Sequence, residues 1–184
     1  MAELTDQLRQ MLDERADTIG GRIGADPDKT RQAIDAAVPA LLAAFASEAE
    51  RGEGIKQAIR KDHDGSILDQ LPEYLQGNAQ LSPRTTNGQG ILEHTLGGRQ
   101  QDVAHALSAK SGLDMSTVMR LLPLLAPIVM GMLGKKGSNG RQTDGGGFSL
   151  DDLGSILGRE RDDARSGDPG LGDLLGGLLG GSKR

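Results

Sequence analysis

His63 lies between two carboxylates in "RKDHDGS", so Asp62, His63 and Asp64 set three metal-ligating side chains side by side. In so polar a stretch the triplet reads as solvated charge, and no metal site is expected there. His94 and His105 are eleven residues apart, a spacing that would align them on one helical face. Gly97 and Gly98 lie between them and are expected to break that helix. "GMLGKKGS" has the glycines and lysines of a phosphate loop, but it follows an apolar helix instead of preceding one. Its amides would therefore not point at a phosphate. No nucleophile elbow and no pair of catalytic carboxylates stand out from the charged surface pattern. The chain has no cysteine, which excludes disulfides, thiolate metal sites and a cysteine nucleophile. Taken together, these residues predict a protein that is not an enzyme, with no cofactor and no small-molecule substrate.

The elements that would position any site are helical. Aromatic residues make up only 2% of the chain, so the core must be built from Leu, Ala, Ile, Val and Met, which favour packed helices. Leu4, Leu8, Met11 and Leu12 follow helical spacing. Asp26 reads as an N-cap, with Pro27 at the first helical position and Asp28 at the positive end. "GSILDQLPEYLQGN" reads as a short amphipathic piece and "NAQLSPRTTNGQG" as a loop. "ILEHTLGG" and "RQQDVAHALSAKSG" read as two short helices. The predicted fold class is all-α.

Sliding residues 3–46 onto 91–134, a shift of 88, aligns Leu4 with Leu92, Leu8 with Leu96, Ala16 with Ala104 and Gly24 with Gly112. It also aligns Asp26 with Asp114 and Pro39 with Pro127. The order is telling: a glycine, a capping aspartate, a proline thirteen residues on, then an apolar half-helix. We read a diverged duplication of a helix–kink–helix unit. An interior proline costs roughly 3 kcal/mol in a straight helix. Pro39 and Pro127 are therefore expected to mark a kink or a restart, and Pro123 to loosen the same turn in the second copy.

Glycine divides the chain, with 16 of its 28 glycines at or beyond Gly131. Residues 1–134 are expected to form the helical domain, and 135–184 a Gly-rich linker and tail. Within the tail, segment 148–158 spaces Leu150, Leu153, Ile156 and Leu157 helically. Segment 170–181 does the same with Leu171, Leu174, Leu175, Leu178 and Leu179. Interior glycines cost about 1 kcal/mol each, so both segments are expected to fold only on docking. The apolar face of Leu121–Leu133 is the groove expected to receive them.

"DGSILDQLPEYLQGN", the stretch from "GQGILEHTLGG" to "PIVMGMLG", and the closing "GLGDLLGGLLGG" resemble the YidB-like bacterial proteins, a domain family of unknown function. The resemblance implies an all-helical bacterial domain with a partly duplicated interior, and no activity, cofactor or catalytic residue.

Net charge is −5, with 13 basic and 18 acidic residues in 1–134 and 8 of each in 135–184. Phosphate neutralisation needs concentrated Lys and Arg, so nucleic-acid binding is not expected. The alternative, a helix-turn-helix-like part, would draw on Lys29, Arg31 and Gln32, but Asp28 and Asp35 sit among them. The run Leu121–Leu133 is thirteen residues, short of the roughly 20 that span a bilayer. The N-terminus has no export-signal pattern. The expectation is a cytoplasmic interaction or scaffold protein whose partner is another protein or a second copy of itself.

Overall fold

In the computed structural model, which describes residues 3–139, the order is α1 (Glu3–Asp13), α2 (Ala16–Ile23), α3 (Pro27–Arg51), α4 (Gly54–Asp62) and α5 (Ser66–Asp69). Then come α6 (Leu71–Gln76), α7 (Pro83–Thr86), α8 (Gly88–Thr95), a 3-10 turn at Gly97–Arg99, α9 (Gln100–Ser111) and α10 (Met115–Asn139). No strand occurs among the described residues. The loop expected at 78–90 carries α7 and the start of α8, because Ser82 and Asn87 each cap a turn. The tail residues Leu150, Leu153, Ile156, Leu157, Leu171, Leu174, Leu175, Leu178 and Leu179 lie outside the described residues.

The two 25-residue helices organise the rest. α3 packs against α1, α2, α9 and α10, while α10 packs against α8, α9, α5 and α4. Each is launched the same way. Gly24 and Gly112 take left-handed conformations, at φ 75° and 67°, that close α2 and α9. Asp26 then accepts from the Asp28 and Lys29 amides, and Asp114 accepts from the Thr117 amide. The Ser116 and Thr117 hydroxyls also donate to Asp114, which holds its carboxyl well below the usual range.

The expected restart at the prolines is not what the chain does. α3 runs through Pro39, and α10 runs through Pro123 and Pro127 without a break. The physical reason lies in what meets the carbonyls that the prolines leave without a helical donor. Pro39 frees the Asp35 carbonyl, and the Arg9 Nη2 of α1 donates to it at 2.9 Å. Pro127 frees the Pro123 carbonyl, and the backbone of Gly88 comes so close that a Cβ there would overlap that oxygen. At Pro39 a tertiary donor thus replaces the lost helical bond, and at Pro127 the backbone of Gly88 packs on the freed oxygen. Arg9→Met should expose this dependence: losing a donor to a backbone carbonyl is expected to lower stability by about 1–2 kcal/mol. A urea midpoint unchanged from wild type would mean that the Asp35 carbonyl needs no donor.

α10 is buried nearly all round, with Leu121, Leu122, Leu125, Ile128, Val129 and Leu133 inaccessible to solvent. The face expected to present a groove is filled by α3, α8 and α9, so it is core and not a docking surface. The stretch Met115–Gly137 is long and apolar enough to cross a membrane by length and composition, and 78% of its most apolar window is buried inside the protein. Flanking residues such as Met115, Val118 and Met119 lengthen it beyond the thirteen-residue run.

Candidate binding site

Where the ends of α2, α6 and α8 meet the first half of α10, they border a cleft of about 520 Å³. Two arginines line it. Arg22, in the last turn of α2, donates from Nη1 to the Leu75 carbonyl at 2.9 Å, near the C-terminus of α6. Arg120, in α10, donates from Nη1 to the Ile23 carbonyl at 3.2 Å, the last residue of α2. Helix C-termini carry partial negative charge, so each guanidinium sits where a cation is favoured. Glycine makes room for both. Gly77 ends α6 at φ 82°, and a Cβ there would lie 3.1 Å from Arg22 Nη1. A Cβ on Gly24 would lie 3.9 Å from Arg120 Nη1.

Tyr74 joins the wall through a buried hydroxyl that donates to the Leu124 carbonyl at 3.1 Å. Burial pushes its pKa up to about 12. The N-terminus of α8 closes another side, where Asn87 Oδ1 accepts from the Gly90 amide at 3.0 Å. Among the described residues neither Arg22 nor Arg120 has a carboxylate within ion-pair reach, whereas Arg9, Arg15, Arg31, Arg51 and Arg60 do. Among the described residues no Asp or Glu lines the cleft. In a chain of net charge −5 the cleft is a local excess of two positive charges.

Sequence reasoning missed this site, and its signal is not local. Arg22 and Leu75 are 53 residues apart, and Arg120 and Ile23 are 97 apart. The histidines singled out from the sequence gather elsewhere. His63 and His94 line a second cavity of about 260 Å³, with Ile55, Ile91 and Met130, while His105 sits on α9. No group of three metal-ligating residues converges among the described residues. Of the residues given structural roles, Asp26 and Asp114 cap α3 and α10, Pro39 lies within α3, and Pro123 and Pro127 lie within α10.

His63 is buried, and its Nδ1 makes no hydrogen bond to the protein. Burial holds its pKa below the ordinary 6.5, against the opposing pull of Asp62 and Asp64. The sign follows from linkage. The unfolded imidazole takes up its proton near 6.5 while the folded one stays neutral, so stability present above that pH is lost as pH falls toward the folded value. Denaturant midpoints measured across this range should fall more steeply for wild type than for His63→Gln. Equal slopes would show that His63 is not the group responsible.

A family model described as a bacterial protein of unknown function (DUF937) matches residues 6–136. No curated protein and no solved structure matches the chain.

Proposed function

We propose, from the premise that this chain belongs to the bacterial family of unknown function DUF937, that it works by binding and not by catalysis, as a helical interaction or scaffold protein. The observation that carries this reading is the chemistry of the cleft wall. Arginine stays protonated at any physiological pH, and Tyr74, with its pKa near 12, commits its proton to the Leu124 carbonyl. The other polar lining residues, Thr86, Asn87 and Gln89, do not titrate. Such a wall holds a ligand by charge and shape but does not exchange protons near neutrality.

The nucleic-acid reading loses support from the same ion pairs. Arg31, one of the two cations of its candidate helix, is within 2.8 Å of Asp28 and 3.5 Å of Asp17. The duplication gains support from register. Both long helices begin and end at positions 88 apart, as do the two left-handed glycines that precede them. We read 3–46 and 91–134 as diverged copies of one unit, in which continuous proline-bearing helices take the place of restarted ones.

In this reading the tail is the protein-binding element, and a second copy of the chain is its partner. Each docked leucine contributes on the order of 1.5–3 kcal/mol, against an ordering cost of about 1–2 kcal/mol per residue. A single contact is therefore weak, and two linked segments reinforce each other. Light scattering at rising concentration tests this on full-length protein and on a variant with Leu174, Leu175, Leu178 and Leu179 changed to Ser. The expected result is a mass that grows with concentration for wild type alone. Identical monomer masses for both would remove self-association from the account.

A further inference from the structure

We infer that the cleft is a binding site for a small phosphate monoester. The inference rests on reading the cleft as a binding surface, and it adds the class of ligand. Each guanidinium spends Nη1 on a backbone carbonyl, at Leu75 for Arg22 and at Ile23 for Arg120. Arginine carries five N–H donors in a planar fork, so most of each fork is left over once that anchor is made. The anchors also fix where the forks stand, which lowers the ordering cost of binding.

Helix capping alone explains one hydrogen bond per arginine. It does not explain why both capping cations line one cleft with no carboxylate in its wall. Among the described residues most other arginines have found an Asp or Glu. Two uncompensated positive charges favour a ligand with two negative ones, and planar forks match the oxygens of phosphate. A phosphate monoester is close to a dianion at neutral pH, its second pKa being about 6. The remaining wall is apolar at Ile23, Leu81, Pro123 and Leu124, with the Tyr74 ring beside them. That surface suits an organic body on the ester, so inorganic phosphate should bind less well. A volume of about 520 Å³ matches a small-molecule pocket. The capping Asn87 and the first residues of α8, Gly88 and Gln89, also border the cleft and place the positive end of a helix beside it.

Isothermal titration calorimetry of the full chain tests this with phenyl phosphate, inorganic phosphate and succinate at neutral pH and low salt. Succinate is a dianion without phosphate geometry, so it separates charge from shape. The expected order of affinity is phenyl phosphate, then phosphate, then succinate. Arg22→Gln and Arg120→Gln should each weaken phenyl phosphate on the order of tenfold, the scale of a lost charge-assisted hydrogen bond. Should either variant fail to fold, Arg22→Lys and Arg120→Lys keep the charge and a donor for the carbonyl. They are expected to lose affinity severalfold because the fork is gone. Succinate bound as tightly as phenyl phosphate overturns the phosphate class. Phenyl phosphate bound equally by wild type and the arginine variants, or not bound at all, overturns the site. None of these results bears on light scattering of the tail variant, so the two readings fail separately.

Discussion

Gly88→Ala should destabilise the protein by about 3 kcal/mol or more, the upper end of what overpacking costs. Helix propensity alone predicts the opposite, since alanine is worth about 1 kcal/mol more than glycine inside a helix. The two effects differ in sign, so the outcome is decisive. Gly88 begins α8, and a Cβ there would overlap the carbonyl oxygen of Pro123, which is backbone and cannot swing aside. Gly134→Ala belongs to the same test, because its Cβ would overlap the His63 carbonyl oxygen in the turn before α5. Both glycines let another segment's backbone rest directly on α10. Denaturant unfolding of the two variants should show lower midpoints with unchanged slopes. A gain in stability for either one would mean that the neighbouring backbone stands clear of α10.

Phe45→Ala is expected to cost about 3–5 kcal/mol, the range for removing a large buried side chain and leaving a cavity. Phe45 is fully buried in the second half of α3 and is one of only two phenylalanines in the chain. It belongs to the core cluster that α3 shares with its neighbours, so its removal leaves a cavity inside that cluster. Met115, at 36% exposed, supplies the contrast. Met115→Ala should stay within about 0.5 kcal/mol of wild type. Comparable losses for the two substitutions would contradict the placement of the core around α3.

What was legible in the sequence was local. The helical class followed from composition, and the Asp26 cap followed from Asp-Pro-Asp at a helix start. The 88-residue offset emerged from Gly24 and Gly112 with Asp26 and Asp114, residues whose roles at a helix end depend on near neighbours. The restart expected at the prolines failed for the complementary reason. Pro39 breaks a helix only if nothing else satisfies the Asp35 carbonyl, and the residue that does, Arg9, lies 26 positions away. The cleft was invisible for the same cause. Arg22 and Arg120 look like ordinary surface cations along the chain, and only the packing of α2, α6, α8 and α10 brings them to one place.

The claim at the centre of this account is that the cleft is where the protein binds. Amide correlation spectra of labelled protein, recorded while phenyl phosphate is added, test it most directly because they report position as well as binding. The account predicts progressive shifts at Arg22, Gly77, Gly88, Gln89 and Arg120, with the amides of α1 and α4 unmoved. Shifts concentrated around His63 and His94, or none at saturating ligand, would contradict it.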